Sequence, residues 1–124
     1  MADLLTSLGF AASGMQAQAG RLRTLSENIA NADTPGYHRK TVSFEELADG
    51  VQLGPVRLDR TEGTRIYDPG HPLADASGTY VGSNVDLVVE IADAREAQRS
   101  YEANLRVFDQ ARQMTQGLFD LIRK

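Results

Sequence analysis

The sequence predicts a mainly α fold in which long N- and C-terminal helices pack as a coiled-coil-like pair, with a small β-hairpin element and extended connectors between them. Three observations carry this expectation. Apolar residues recur at alternating gaps of four and three from Leu4 to Ile29, and a second run of the same kind extends from Ile91 to Ile122. Between the two runs the period drops to two and turn residues become frequent. A 4-3 repeat marks a helix facing another helix, whereas period two marks a strand with one covered face.

The first helix is expected over about residues 3–31. Its seam is Leu4, Leu8, Ala11, Met15, Leu22, Leu25 and Ile29, with Gln18 as the one polar break. Gly9, Gly14 and Gly20 lie in its interior. Each costs on the order of 1 kcal/mol relative to Ala, so this helix is expected to order only when packed. Together with Ala12, Ser13, Ala17 and Ala19, the same glycines form a surface of small residues that lets another backbone approach closely.

The helix is followed by "ENIANADTPGYHRK", Glu27 to Lys40. Asn31 is expected in the left-handed conformation that ends many helices, and Thr34-Pro35-Gly36-Tyr37 fits a type II turn with Pro second and Gly third. The basic cluster His38, Arg39, Lys40 reads equally as a contact for an acidic or phosphate group and as a solvated patch beyond a turn.

From 41 to 82 the sequence suggests short strands at "TVSF" and "VRL" and a hairpin joining "VRLDR" to "TRIY" through Glu62-Gly63, followed by the turn-rich stretches "YDPGHP" and "SGTYVGSN". The closing helix is expected from about 83–86, where "SNVD" fits a Ser-x-x-Asp capping pattern, to about Ile122. Ile91, Ala94, Ala97, Tyr101, Leu105, Phe108, Ala111, Thr115, Leu118 and Ile122 form its seam, and a second row holds Val107, Met114 and Leu121. Glu102 with Arg106 and Asp120 with Lys124 are expected as i to i+4 pairs. One partner helix cannot cover both rows, so further neighbours are implied. The organisation is thus 1–40 for the first helix and its junction, 41–82 for the β element and connector, and 83–124 for the closing helix, the two helices forming one domain.

Composition narrows the chemistry. The 124 residues are 41% hydrophobic and 24% charged with a net charge of −4, which gives no general attraction to nucleic acid. There is no cysteine, hence no disulfide, thiolate nucleophile or cysteine zinc site. Asp68, His71 and Asp75 in "YDPGHPLAD" are candidate ligands, but a metal centre needs three or four converging donors, and Pro69, Gly70 and Pro72 already account for the stretch as a rigid turn. No serine elbow and no phosphate-cradling Gly-rich loop is present, so neither catalysis, a cofactor nor a small-molecule substrate is expected. Asp3, Thr6, Ser7 and Gly9 interrupt the first apolar stretch, which predicts neither a secretory signal nor insertion in a membrane.

"ENIANADTPGYHRK" resembles the Asn-Ile-Ala-Asn, Thr-Pro-Gly-Tyr-x-Arg-Lys signature of bacterial flagellar axial proteins, the rod and hook family. "YDPGHPLADASGTYVGSNVDLVVEIADAREAQRSYEANLRVF" is similar to the second signature of the proximal rod members of that family. By this resemblance, Asn28, Asn31, Thr34, Pro35, Gly36 and Tyr37 form the junction after the first helix, and Tyr101, Glu102, Ala103 and Asn104 belong to the second-helix motif. Two positions depart from the pattern: Thr79 stands between Gly78 and Tyr80, and Ser83 stands where a Pro commonly precedes Asn-Val. The resemblance implies a structural subunit of the basal-body rod that assembles helically through its terminal helices, transmits torque and contributes to the export channel wall. Its implied partners are copies of itself, other rod proteins and the flagellar export apparatus, through which it crosses to the periplasm without a cleaved signal. A soluble coiled-coil adaptor would account for the heptads but not for the Pro-Gly junction.

Overall fold

The computed structural model describes residues 2–123. Helix α1 spans Ala2–Ala30 and helix α2 spans Leu87–Arg123. Between them run six short strands: β1 (Lys40–Thr41), β2 (Phe44–Leu47), β3 (Gly50–Leu53), β4 (Arg57–Leu58), β5 (Arg65–Tyr67) and β6 (Thr79–Val81). They form three separate antiparallel pairs, β1 with β4, β2 with β3 and β5 with β6.

The helices pack antiparallel, with Asn28 of α1 beside Glu90 of α2 and Gly14 beside Asn104. Their seam is built from small residues. Ala11, Gly14 and Ala17 of α1 are buried, as are Ala97, Ala111 and Thr115 of α2. A Cβ at Gly14 would sit 2.7 Å from the Asn104 carboxamide nitrogen, so the glycine allows the close approach. Arg21 reaches across to Asp93 and Glu96 at 3.9 and 3.6 Å.

The seam corrects part of the expected one. Between Ala97 and Thr115, α2 faces α1 through Ala97, Tyr101, Phe108, Ala111 and Thr115, with Tyr101 and Phe108 half-buried. At its first turn, buried Glu90 replaces Ile91, and Asn104 replaces Leu105 in the middle. On α1, Leu25 is buried, but Leu4, Leu8, Met15, Leu22 and Ile29 lie to one side and are half-buried. Ile91, Leu105, Leu118 and Ile122 remain exposed. The reason is geometric: small side chains let the helix axes approach, and large ones on that line would hold them apart.

Asp86 caps α2, its Oδ1 accepting from the Val88 N–H at 3.0 Å, so the start is one turn later than a Ser83 cap would place it. The Glu102–Arg106 pair does not form, as suits two exposed, well-solvated side chains; Asp109 and Arg112 approach at 3.8 Å instead. The Asp120–Lys124 pair falls outside the described residues.

The expected hairpin across Glu62-Gly63 is also corrected. β4 pairs back to β1 (Lys40 with Leu58) and β5 pairs forward to β6 (Arg65 with Val81). The true hairpin is β2–β3, closed from Leu47 to Gly50. It lies along α1, where Ser13 Oγ accepts from the Val51 N–H at 3.2 Å and Leu53 covers Gly20. The chain cannot turn at Gly63 because that residue presses on the next segment. A Cβ there would lie 2.1 Å from the Gly82 carbonyl oxygen.

Two glycines should therefore respond in opposite ways to alanine. Gly9→Ala meets nothing within 4 Å and is expected to stabilise the chain by up to about 1 kcal/mol through helix propensity. Gly63→Ala must displace backbone and is expected to cost about 2 kcal/mol or more. Urea titrations of the two variants check this, and equal midpoints would contradict the packing described.

Candidate functional site: the interhelical joint

Asn28 sits in the last turn of α1, fully buried, as does Glu90 in the first turn of α2. A buried carboxamide has two donors and an acceptor oxygen to satisfy, and here each finds a partner. The Asn28 Oδ1 accepts from the Lys40 N–H and from the Tyr37 hydroxyl, both at 2.8 Å. Its Nδ2 donates to the Lys40 carbonyl at 2.8 Å and to Glu90 Oε2 at 3.4 Å. The side chain thus holds the backbone of Lys40 at both its N–H and its carbonyl, as a neighbouring strand would. β1 begins at that residue.

The turn makes this reach possible. The Tyr37 N–H donates to the Thr34 carbonyl at 3.2 Å and Gly36 has φ 75°, which together make the expected type II turn. Asn31 departs from expectation. No non-glycine residue among those described has positive φ, and Asn31 ends the helix by a different route. Its N–H donates to the Glu27 carbonyl at 3.1 Å, and its side-chain Nδ2 donates to the same carbonyl at 2.8 Å. Its Oδ1 then receives the Thr34 hydroxyl at 3.1 Å. A side chain that caps the last carbonyls removes the need for a left-handed residue.

The basic cluster beyond the turn is part of the joint and not a free patch. Arg39 Nε donates to Glu90 Oε1 at 2.6 Å, and its guanidinium lies 3.9 Å from Asp59. His38 Nδ1 meets the Asp59 carbonyl at 2.9 Å, and Lys40 pairs with Glu27. Glu90 also gains from its place in the first turn of α2, where the helix dipole favours negative charge. Burial pushes the Tyr37 phenol above its usual value of 10.0, and the Glu27 carboxylate adds to the shift.

From the other side, Asn84 accepts from the Arg39 N–H at 2.6 Å and donates to the carbonyls of Asp59 and Thr61 at 2.9 and 3.0 Å. The Ser83 hydroxyl, buried at 7% exposure, donates to the Ala32 carbonyl just past the end of α1 and accepts from the Val85 N–H at 3.3 Å. A proline at 83 would offer no hydroxyl for that bond. Glu90, Arg39, Asn84 and Ser83 went unrecognised as joint residues in the sequence. One signal was available for Glu90, a carboxylate seven residues before Ala97 on the face turned toward α1.

The segment at 68–79 holds a second, separate structure. Asp75 accepts from the Ser77 hydroxyl at 2.5 Å and from the backbone N–H groups of Ser77 and Thr79 at 2.9 and 3.2 Å. The His71 ring stacks on Tyr80 with centroids 3.9 Å apart, and its Nδ1 accepts from the Leu73 N–H at 3.1 Å. Both side chains are thus committed to loop structure. Among the described residues no three His, Asp or Glu side chains converge in a way that would hold a metal ion.

Residues 8–38 match the family described as flagella basal body rod protein, and residues 76–121 match the one described as flagellar basal body rod FlgEFG protein C-terminal. The first match ends beside Arg39 and includes Asn28 and Tyr37, while the second includes Ser83, Asn84 and Glu90. The joint therefore ties one matched segment to the other. Over the whole length, the chain is 43% identical to the flagellar basal-body rod protein FlgC of Agrobacterium fabrum, covering 99% of this chain and 98% of that protein. It is 34% identical to the protein of the same name from Salmonella typhimurium, covering 90% and 92%, and 32% identical to that of Aquifex aeolicus, covering 97% and 98%.

Removing the central amide tests the joint. Asn28→Ala strips four hydrogen bonds and is expected to cost about 2–4 kcal/mol, with Glu90→Ala costing about 2–3 kcal/mol because partly exposed Arg39 keeps access to water and Asp59. A double-mutant cycle by urea unfolding should show coupling between the two, and additivity would count against a shared network. A pH titration tests the 68–79 loop. Its hydrogen bonds, first that from Ser77, lower the Asp75 carboxyl from 3.8 to about 2. A depressed folded pKa stabilises above the unfolded value and is lost as pH falls, so amide protection at Ser77 and Thr79 should fade between about pH 4 and 2. It should be absent at neutral pH in Asp75→Ala.

Proposed function

The chain belongs to the flagellar basal-body rod protein family, of the FlgC type, and from that premise we propose that it is a structural subunit of the proximal rod and assembles through its two terminal helices. The observation that carries this reading is the apolar surface left uncovered by so thin a fold. The chain exposes 8530 Å², against roughly 6500 Å² for a compact monomer of its mass. Along α2 the uncovered side chains include Leu105, Val107, Met114, Leu118, Leu121 and Ile122, between 37% and 75% exposed. The fold of one chain leaves them uncovered, and neighbouring subunits would cover them.

In this reading the helices stand in the wall of a tube and the joint directs the strand pairs outward from it. Helix packing carries torque along the rod and the wall bounds the export channel. The chain reaches the rod, across the periplasm, through the flagellar export apparatus without a cleaved signal, and it meets other rod proteins there as well as its own copies. No helix among the described residues is long and apolar enough to cross a membrane. It performs no catalysis; His71 and Asp75, the side chains closest to a catalytic pattern, are engaged in shaping their own loop.

Substitutions on the helix rows separate this reading from an enzymatic one. Leu105 and Leu118 are 40% and 37% exposed, so Leu105→Asp and Leu118→Asp should leave the chain folded but place a carboxylate in a dry contact between subunits. Both are expected to be absent from purified basal bodies and to abolish swimming, while His71→Ala swims nearly normally. If both aspartate variants assemble and swim and His71→Ala does not, the structural reading is wrong.

A further inference from the structure

The rod reading leaves open which surfaces meet between copies, and two uncovered surfaces on this chain have opposite charge and matching apolar character. The first is a groove on α2, floored by Val88, Ile91 and Ala92 and edged by Arg95, Glu96 and Arg99. Val88 is 77% exposed and Ile91 44%. At 3.6 residues per turn, Val88, Arg95 and Arg99 lie about half a turn from buried Glu90 and Ala97, so the groove faces away from α1. Glu96 is held by Arg21 at 3.6 Å, whereas Arg95 and Arg99 have no ionic or hydrogen-bonding partner among the described residues.

The second surface is the β2–β3 hairpin. All four residues of β2 are exposed, including Phe44 at 43% and Leu47 at 44%. Residues 41–56 contain three carboxylates and no lysine or arginine. Glu45 receives Gln52 Nε2 at 3.2 Å, but Glu46 and Asp49 have no partner among the described residues. The hairpin cannot reach the groove of its own chain, because Ser13 and Gly20 hold it against α1.

We propose that the β2–β3 hairpin of one copy docks on the α2 groove of the next, with Leu47 against Val88 and Ile91, and Glu46 and Asp49 beside Arg95 and Arg99, while Phe44 stays under Arg21 of its own chain. Two different surfaces on one chain make a head-to-tail contact, which builds a helical assembly wherever its rotation does not close into a ring. The apolar floor supplies the burial, and the charges at the rim set the register.

The native chain has no cysteine, which makes cross-linking selective. Cells carrying Asp49→Cys with Arg99→Cys in one chain are compared with each single substitution, and oxidised basal bodies are analysed without reductant. A ladder of cross-linked multimers that requires both cysteines is expected. Normal incorporation without the ladder would overturn the docking and leave the rod reading intact, whereas absence of even the native chain from basal bodies would overturn that reading. Where the cysteine variant fails to incorporate, charge exchange decides. Arg95→Glu with Arg99→Glu should reduce incorporation at least tenfold, and adding Glu46→Arg with Asp49→Arg should restore it. Failure of that rescue would mean that something other than this hairpin covers the groove.

Discussion

The buried amide of Asn28 is the constraint on which the rest of the arrangement depends. A carboxamide with no access to water must have its donors and acceptor met, and the only groups that can do so come from different parts of the chain. Lys40 supplies backbone after the turn, Tyr37 a hydroxyl within it, and Glu90 a carboxylate from α2. Meeting those bonds fixes where α1 ends, how sharply the chain reverses, where β1 begins and how α2 enters. Glu90 then brings in Arg39, whose own N–H engages Asn84. Loss of Asn28 leaves the Lys40 backbone groups without these partners, whereas loss of Glu90 is cushioned by the access of Arg39 to water and Asp59.

Away from the joint, the packing logic reverses. The α1–α2 seam depends on the absence of side chains: alanines, Gly14 and Thr115 let the helices approach, and the Thr115 hydroxyl returns to the Ala111 carbonyl at 2.8 Å without needing a partner across the seam. A close seam of small residues buries little apolar area per turn, so it contributes modestly to stability in the isolated chain. The larger apolar residues are left on the flanks. Low stability alone and high capacity for lateral contact are two consequences of one choice of seam residues.

The connector divides labour in the same way. β1–β4 and the Asn84 contacts belong to the joint, whereas the turn around Asp75 is held by its own hydrogen bonds together with Arg65 of β5, which reaches Asp75 and Thr79 at 3.4 and 3.0 Å. The β2–β3 hairpin depends on α1 for support and leaves every residue of β2 exposed. A chain of this size thereby combines a rigid joint, a thin helical pair and a projecting hairpin.

Periodicity alone was enough to determine two long helices and a strand-bearing middle, because a repeat of 4 and 3 admits no other local structure over so many residues. The Pro35-Gly36 turn was likewise legible, since proline and glycine restrict the backbone whatever surrounds them. The motif residues Asn28 and Tyr37 could be singled out, but not their roles. Strand pairing, the helix ending at Asn31, the choice of Glu90 over Ile91 for the seam and the engagement of His38, Arg39 and Lys40 were decided only in three dimensions. Each depends on what approaches from a distant part of the chain: Gly82 beside Gly63, the Glu27 carbonyl for Asn31, Arg39 for Glu90 and Asp59 for His38. Local pattern records a residue's preference for water or for a backbone angle, whereas the pairing of buried polar groups is a property of two positions at once.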